Sequence, residues 1–301
     1  MTIAFTTSLP KEGFSRLSGH QLLQAEDFAP QADILVATFD YPVTRALLER
    51  MPQLRLVANF GVGFNNIDLD ACRERGIRVT NTPDPVIEPT AELAFSLMLS
   101  LARRTVELDH QMRSATPPTF GVMNNLSHTL YGGTLGIIGL GHIGMALARR
   151  AEAFGMRIIY HNRHIKPDCR YQYVGMDELL AESDFVSLNL PYTPQVHHLI
   201  DGVALHKMKR TAYLINTARG AHIDEQALVQ ALQQGLIAGA AMDVYEHEPN
   251  VSPELLTMPN VVLSPHVGTG TWEGRIAMCE NVSDNILAFI DGREQDMNIV
   301  L

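Results

Sequence analysis

The stretch LGIIGLGHIGMALARRAEAF at residues 135–154 decides the fold, because it joins a strand pattern to a helix pattern through a glycine-rich turn. Leu135–Ile138 is a short apolar run typical of a buried strand, and Ile143–Phe154 has the apolar spacing of a helix with one buried face. The turn between them follows the pattern G-x-G-x-x-G. This order of strand, turn and helix begins a βαβ unit, which predicts a parallel sheet.

The alternation of strand and helix patterns extends in both directions from this stretch and predicts an α/β fold. We predict further strands at 33–38, 56–60, 77–80, 157–160, 185–189, 212–216, 238–242 and 261–264. We predict further helices at 43–49, 67–75, from 90 onward, 176–181, 202–207, 225–233 and 271–290. The segment from Lys11 to Pro30 has little strand signal, so the first domain is expected to be short. Pro83, Pro85 and Pro89 mark the best domain boundary.

The glycine turn has the context that a dinucleotide site requires. Gly139 allows the tight turn, Gly141 lets a pyrophosphate approach the backbone, and Gly144 lets helix and strand pack closely. The N–H groups of His142 and Ile143, at the start of the helix, would face the phosphates. The sequence therefore predicts a bound dinucleotide.

The strand after the glycine turn ends in His161-Asn162-Arg163-His164, where NAD sites usually carry an acidic residue. No carboxylate is present there to repel a 2′-phosphate, and Arg163 could grip one. Asn162 could donate a hydrogen bond to the same phosphate. NADPH is therefore the predicted cofactor, with NAD(H) still possible if Arg163 is an ordinary solvated side chain.

Length, charge and cysteine content limit which partners and which cellular compartment the sequence predicts. The chain has 301 residues, enough for two domains, and a net charge of −10, which argues against a nucleic-acid partner. The first residues lack the pattern of a secretory signal, and the most apolar run, at 91–102, is too short for a bilayer and predicts a helix buried on nearly every side. Cys72, Cys169 and Cys279 are far apart and form no C-x-x-C pair, which is typical of reduced thiols in the cytoplasm. No membrane partner and no metal site is predicted.

Three charged or titratable residues, Arg219, His266 and Glu248, are the candidates for catalysis. Arg219 follows the strand at 212–216, and His266 follows the strand at 261–264, so both emerge at the carboxyl edge of the sheet. A guanidinium suits a carboxylate, and a histidine can donate a proton. Glu248, before Pro249, could hydrogen-bond His266, with Glu246 as its main competitor. This set predicts reduction of a 2-keto acid, which needs a cation for its carboxylate and an acid for the developing alkoxide.

In these motifs and their spacing, the chain resembles the D-isomer-specific 2-hydroxyacid dehydrogenase family over nearly its whole length. It is most similar to the glyoxylate and hydroxypyruvate reductases of that family, whose cofactor strand often ends in a run like Asn162-Arg163. The matching runs, as they stand here, are residues 139–144 (GLGHIG), 216–220 (NTARG) with 223–225 (IDE), 242–249 (MDVYEHEP), 264–268 (SPHVG), 62–68 (VGFNNID) and 90–94 (TAELA).

The resemblance implies a role for each matching residue. Arg219, Glu248 and His266 would form the catalytic set, and the backbone N–H groups of Val62 and Gly63 would join Arg219 in binding the substrate carboxylate. The remaining cofactor contacts would lie at the nicotinamide and adenosine ends of the dinucleotide, and they involve Thr90, Pro191, Thr217, Ala218, Asp243 and Gly268.

The resemblance also implies the architecture. Two Rossmann-like parallel-sheet domains are expected, with a dinucleotide-binding domain at 91–270 inserted into a substrate domain made of 1–90 and 271–301, and a homodimer formed through the cofactor domain. The run Thr269-Gly270-Thr271-Trp272 departs from the family pattern, which leaves two roles open for Trp272: shaping the substrate pocket or packing at a subunit contact.

Other activities occur on the same scaffold. Formate enzymes of this type resemble the pattern with a glutamine at the position of Glu248, which argues against formate or phosphite oxidation here. A cofactor-sensing binding protein, like the transcriptional corepressors related to the family, can keep the catalytic set. Turnover of a keto acid distinguishes an enzyme from such a sensor.

Overall fold

The computed structural model describes residues 1–24 and 30–301. The chain divides into two compact units, one made of Met1–Pro89 with Thr269–Leu301 and the other of Thr90–Gly268. Each unit contains a sheet whose strands are all parallel. The predicted α/β fold class with two parallel-sheet domains is confirmed. The assignment of the units to substrate and dinucleotide stays a prediction.

Strands and helices alternate along most of the chain. In the described residues the strands are β1 (Thr2–Phe5), β2 (Gln21–Gln24), β3 (Ile34–Thr38), β4 (Leu56–Phe60), β5 (Arg78–Thr80), β6 (Thr134–Ile138), β7 (Arg157–His161), β8 (Gln172–Tyr173), β9 (Phe185–Leu188), β10 (Tyr213–Asn216), β11 (Gly239–Met242) and β12 (Val261–Leu263). The α-helices there are α1 (Arg45–Glu49), α2 (Leu69–Glu74), α3 (Ile87–Ala102), α4 (Thr105–Met112), α5 (His142–Ala153), α6 (Met176–Glu182), α7 (Gly202–Lys207), α8 (Glu225–Gln233) and α9 (Trp272–Ile290).

The unit made of the two ends of the chain has a five-stranded sheet in the order β2-β1-β3-β4-β5. Every residue of β3 and β4 is buried, as expected for central strands covered on both faces. The core on one side of this sheet gathers Leu35, Leu48, Val57, Cys72 and Val79. Helix α9 belongs to this unit, and Gly13 packs so closely against it that a Cβ would lie 2.2 Å from that of Cys279.

The unit Thr90–Gly268 has a seven-stranded sheet in the order β12-β11-β10-β9-β6-β7-β8. The chain runs outward from β6 through β7 to β8, and then returns to β9 on the other side of β6. The strand order therefore reverses between β6 and β9. In open α/β sheets, ligands bind beside such a switch point, at the carboxyl ends of the strands. The glycine turn follows β6 and so lies at this point.

Several elements differ from the predictions. Strand β2 lies within Lys11–Pro30, where little strand signal was found, and its residues are mostly exposed at the edge of the sheet. Residues 25–29 of that segment lie outside the described residues. Helix α3 begins at Ile87 rather than Thr90, because Pro89 is tolerated in a first helical turn, which needs no N–H from it. Helix α4 was not predicted, since none of its residues is buried and it has no apolar stripe.

Helix α3 contains the most apolar stretch of the chain. Its buried face includes Ala91, Ala94, Met98 and Leu101, whereas a stripe through Glu92 and Ser96 is exposed. Within 91–102 these two residues are the exposed ones, which agrees with the predicted burial on nearly every side. Among the described residues, none of the helices combines the length and apolarity that crossing a bilayer requires.

Candidate active site

The glycine turn after β6 has glycine for two different reasons. Gly139 has a φ of 96° and a Cβ there would lie 2.6 Å from the carbonyl oxygen of Asn189. At Gly144 a Cβ would lie 2.4 Å from the carbonyl oxygen of Gly139. At Gly141, by contrast, a Cβ would meet no described atom within 4 Å. The fold itself therefore requires the first and last glycines, and the bare backbone at Gly141 is what the approach of a pyrophosphate needs.

The start of α5 presents its N–H groups without side-chain competition. Gly141 is the N-cap and offers no side-chain acceptor, and the first turn, which lies wholly within the described residues, contains no acidic residue. The orphan N–H groups of the first turn, where His142 and Ile143 stand, therefore carry the positive end of the helix dipole. Such a helix start suits a phosphate.

Two polar atoms near the carboxyl ends of β9 and β10 support a ligand at the same edge. Oδ1 of Asn189 and Oγ1 of Thr217 are buried and have no hydrogen-bond partner among the described residues. Buried polar groups are nearly always satisfied, so each is a candidate for a contact with a bound group. Ala218 and the exposed Pro191 lie beside them in the chain. These residues fit a dinucleotide, for which the contacts stay predictions.

At the end of β7, Asn162 has a role that the sequence did not indicate. Its Oδ1 accepts a hydrogen bond from the backbone N–H of Leu140, at 2.7 Å, and so holds the glycine turn. This bond uses the oxygen, so any donor role of Asn162 toward a 2′-phosphate falls to its NH2 group. The neighbouring Arg163 is exposed. The chain thus offers a cation and an amide donor at the position where NAD sites usually have a carboxylate.

Arg219 follows β10 in a tightly held loop. The side chain of Asn216 donates to the carbonyl oxygen of Arg219 at 2.9 Å and accepts from the N–H of Ala218 at 3.0 Å. The next residue, Gly220, packs directly on the backbone of Tyr245, where a Cβ would lie 1.9 Å from the carbonyl carbon. Burial lowers the pKa of Arg219, although the charge of Glu248 opposes this. The guanidinium donates from Nη1 to the carbonyl oxygen of Ala218 at 2.6 Å and is close enough to Glu248 for their charges to interact.

His266 and Glu248 form a hydrogen-bonded pair. Nδ1 of His266 lies 2.8 Å from Oε2 of Glu248, and Oε1 of Glu248 accepts the backbone N–H of Tyr245 at 3.0 Å. Burial alone would raise the pKa of Glu248, but the hydrogen bond and charge of His266, the N–H of Tyr245 and the charge of Arg219 bring it below its usual value. Glu248 is thus held as a carboxylate that orients the imidazole.

The backbone at His266 is in the left-handed region, with a φ of 52°. This conformation is uncommon for a residue other than glycine. It is held by the N–H of His266, which donates to the carbonyl oxygen of Asp243 at 2.8 Å. The direction of the imidazole is therefore set by the loop as well as by Glu248.

Glu246, the other candidate partner of His266, is bound elsewhere. Its Oε1 lies 2.5 Å from Nε2 of His198, and its Oε2 accepts the backbone N–H of Glu225 at 3.2 Å. Of the two carboxylates, Glu248 is the one hydrogen-bonded to His266.

Asp243 fixes the loop that carries His266. Its buried carboxylate accepts hydrogen bonds from Oγ of Ser264 at 2.6 Å and from the N–H groups of Val267 and Gly268, both at 2.8 Å. Burial raises the pKa of Asp243 despite these bonds. Sequence reasoning gave Asp243 only a contact with nicotinamide and missed this bracing, for which an acidic residue directly after a buried strand was the available signal.

Thr90 lies beside Gly268 and Asp243, in the loop region that also holds His266. A Cβ on Gly268 would lie 3.3 Å from Asp243 and 3.5 Å from the methyl group of Thr90.

His222 is a buried histidine that was not among the predicted site residues. It stands three residues after Arg219 and is fully buried. Burial and the charge of Arg219 lower the pKa of His222 to about 4, against an opposing contribution from the carbonyl of Pro191. At neutral pH this ring therefore adds no second positive charge beside Arg219.

Val62 and Gly63 belong to the unit formed by the two ends of the chain. The carbonyl oxygens of their loop accept side-chain amides, with Asn59 bonded to Gly63 at 2.8 Å and Asn81 bonded to Val62 at 3.0 Å. Among the described residues, the N–H groups of Val62 and Gly63 have no protein acceptor. Two side-chain hydrogen bonds therefore hold the loop, which keeps two backbone N–H donors. The contact of these donors with the substrate stays a prediction.

Trp272, the first residue of α9, is exposed, and both of its proposed roles remain open.

Residues 95–268 match the family model of the D-isomer specific 2-hydroxyacid dehydrogenase, NAD binding domain. A glyoxylate reductase of Thermococcus litoralis is 46% identical over 270 residues, which cover 87% of this chain and 82% of the relative. An NADPH-dependent glyoxylate/hydroxypyruvate reductase from Sinorhizobium meliloti, solved with NADP and malonate, has a TM-score of 0.87 at 33% identity, covering 96% of this chain and 93% of that one. A D-lactate dehydrogenase from Aquifex aeolicus, solved with NAD and lactic acid, has a TM-score of 0.89 at 29% identity and covers 100% and 99%.

Proposed function

Because the chain belongs to the D-isomer specific 2-hydroxyacid dehydrogenase family, we propose that it reduces small 2-keto acids to D-2-hydroxy acids with NADPH as the preferred cofactor. Glyoxylate and hydroxypyruvate are the leading substrates, since the relative from Thermococcus litoralis is a glyoxylate reductase and the similar protein from Sinorhizobium meliloti is a glyoxylate/hydroxypyruvate reductase. The observation that carries the proposal is the 2.8 Å hydrogen bond between His266 and Glu248, with the charge of Arg219 acting on the same carboxylate.

Each side chain has a distinct task in this reaction. When bound, the reduced nicotinamide supplies the hydride for the keto carbon. Arg219 binds the substrate carboxylate and polarises the carbonyl, for which its planar, partly buried guanidinium is suited. His266 gives a proton to the developing alkoxide, and Glu248 stabilises the protonated imidazole and fixes its orientation. The N–H groups of Val62 and Gly63 would add donors for the carboxylate.

The experiment that tests the activity is a panel of 2-keto acids assayed with both nicotinamide cofactors. The protein is mixed with NADPH or NADH and glyoxylate, hydroxypyruvate, 2-ketogluconate or phenylpyruvate, and the loss of reduced nicotinamide absorbance is followed. We expect steady turnover with glyoxylate or hydroxypyruvate. Binding of NADPH without turnover of any acid would contradict the proposal and would support a cofactor sensor instead.

Arg163 is proposed to hold the 2′-phosphate of NADPH. It is exposed beside Asn162, whose oxygen is already committed to Leu140, so the guanidinium is the principal charge available to that phosphate. We expect Arg163→Ala to raise the KM for NADPH about tenfold, the effect of losing roughly one charge-assisted hydrogen bond, and to leave the KM for NADH nearly unchanged. Steady-state kinetics with each cofactor measures this difference.

A matched control is Arg157→Ala, at the amino end of the same strand, where the arginine pairs with Glu182. This variant should leave both KM values near those of the unchanged protein. A higher kcat/KM with NADH than with NADPH in the unchanged protein would contradict the cofactor preference.

A homodimer is proposed from an apolar arm at residues 120–131 of the dinucleotide unit. Phe120 and Val122 are 84% and 94% exposed, and Met123, Leu126 and Tyr131 are exposed as well. So many large apolar side chains within one short segment indicate a surface that another protein covers. A second copy of this chain is the partner that the family resemblance implies.

The predicted cytoplasmic location stays a prediction.

The dimer is tested by introducing charge into the apolar arm. We expect the double variant Phe120→Asp, Val122→Asp to elute as a monomer in size-exclusion chromatography with light scattering, because two carboxylates cannot be buried in an apolar interface at low cost. The control Val203→Asp changes an exposed apolar residue at the start of α7 and should leave the mass unchanged. A dimer that persists in the double variant would place the interface elsewhere.

A further inference from the structure

His197, His198 and Glu246 bring three metal-binding side chains together outside the proposed catalytic set. One donor atom from each of the three lies within 4.8 Å of the other two. Nε2 of His198 is 2.5 Å from Oε1 of Glu246. The rings of His197 and His198 are stacked, with centroids 4.0 Å apart and planes inclined by 20°. Two imidazoles and a carboxylate thus share one small volume.

The stacking of consecutive histidines requires an unusual backbone. In an extended segment neighbouring side chains point to opposite faces. His198 instead has a φ of 50°, in the left-handed region, and both imidazoles lie on one side. Hydrogen bonds hold this conformation, since the N–H of His198 donates to Ala221 and that of Ile200 to His222, both at 2.9 Å. Backbone strain of this kind is found at functional sites more often than elsewhere.

Glu246 is held ready to act as a ligand. Its Oε2 accepts the backbone N–H of Glu225 at 3.2 Å, which fixes the carboxylate, and its own backbone N–H donates to Oε2 of Glu225 at 3.1 Å, which fixes the loop. Oε1 of Glu246 is therefore an anchored oxygen that lies against His198.

We propose that His197, His198 and Glu246 form a binding site for a divalent transition-metal ion, with zinc as the best fit. Two imidazole nitrogens and one carboxylate oxygen are a known donor set for zinc, with water in the fourth position. Imidazole ligands disfavour magnesium and calcium, which prefer oxygen donors. The ion would take the place of the hydrogen bond between His198 and Glu246, and His197 would supply the third ligand atom from its exposed ring.

Surrounding contacts would support the ion and connect it to neighbouring loops. The hydroxyl of Tyr192 lies 3.3 Å from Nδ1 of His197 and steadies that ring. His198 is hydrogen-bonded to Ala221, two residues after Arg219, and Glu246 is two residues before Glu248. An ion bound here would join the loop that carries His197 and His198 to the loop that carries Glu246. Ligand binding to the folded state alone should raise the melting temperature. The site shares no residue with the proposed catalytic set.

The test is titration of the metal-free full-length protein with zinc chloride, measured by isothermal calorimetry and equilibrium dialysis. We expect one zinc ion per chain and an increase in melting temperature. The X-ray absorption spectrum of the bound zinc should show nitrogen and oxygen neighbours at about 2.0–2.2 Å. His197→Ala and Glu246→Gln should each weaken binding at least tenfold and abolish the increase in melting temperature. His197 is exposed, so its variant should fold normally.

Three controls separate this site from other ligands on the chain. His164→Ala removes an exposed histidine of the same unit, Cys169→Ser removes the partly exposed thiol, and His266→Ala removes the imidazole paired with Glu248. All three should bind zinc as the unchanged protein does. Equal binding by His197→Ala and the unchanged protein, or a zinc affinity that falls only in His266→Ala, would overturn the proposal. Either result leaves the test of keto acid turnover unaffected.

Discussion

Replacing His266 with alanine is expected to lower kcat for glyoxylate reduction by about a thousandfold, the typical effect of removing a general acid, with a smaller change in KM. The imidazole would be the proton donor for the alkoxide, and Glu248 would be left without its partner at 2.8 Å. Steady-state kinetics with saturating NADPH measures the loss. Because the substrate carboxylate would still meet Arg219, binding should suffer less than the chemical step.

The left-handed backbone at His266 calls for a second variant. Alanine is strained at a φ of 52°, whereas glycine is not, so His266→Gly removes the imidazole without adding backbone strain. Both variants should lose the same activity while binding NADPH like the unchanged protein. If His266→Gly kept near-normal kcat, the imidazole would not be the proton donor, and the loss in the alanine variant would be a matter of loop conformation.

Replacing Arg219 with alanine is expected to reduce kcat/KM for glyoxylate by about 30-fold to 5,000-fold, since truncating one partner of a buried charge pair costs about 2–5 kcal/mol. Both KM and kcat should change, because the guanidinium would bind the carboxylate in the ground state and polarise the carbonyl in the transition state. Arg219→Lys should recover only part of the activity, since an ammonium group cannot form the planar two-point contact. Initial rates over a range of glyoxylate concentrations measure both parameters.

Arg210 provides the matched control. It is exposed and precedes β10, at the opposite end of the strand that Arg219 follows. Arg210→Ala removes one arginine charge at the other end of β10. It should keep kcat/KM within about twofold, as expected for a surface substitution far from the site. If Arg219→Ala and Arg210→Ala had equal kinetics, the substrate carboxylate would have to bind elsewhere.

Apolar runs and their spacing were enough to predict most of the fold. Strand β4 and helix α8 have the predicted ends, because their apolar residues are bounded by clear turn or capping residues. Strand β2 was missed because an exposed edge strand needs no apolar alternation. The pairing of His266 with Glu248 could be expected from position alone, since loops after neighbouring parallel strands meet at one edge of the sheet.

Features that depend on backbone torsion or on polar contacts between loops could not be predicted in this way. An acidic residue directly after a buried strand indicates a role for Asp243, but the sequence does not show that its carboxylate accepts three hydrogen bonds from the loop of His266. Likewise, consecutive histidines would be expected on opposite sides, and only the left-handed φ of His198 brings their rings together. Hydrophobic periodicity contains no information about either feature.

The discontinuous unit has a consequence for synthesis on the ribosome. Chains are made from the amino terminus at about 5–20 residues per second, and domains generally fold as units when they emerge. Thr90–Gly268 is continuous, so all strands of its sheet are made before the carboxyl-terminal residues of the other unit. That other unit must wait for the end of the chain, because α9 belongs to it and Val79 exchanges hydrogen bonds with Val300 and Leu301. Residues 1–89 are therefore the part that stays exposed longest to chaperones and proteases during translation.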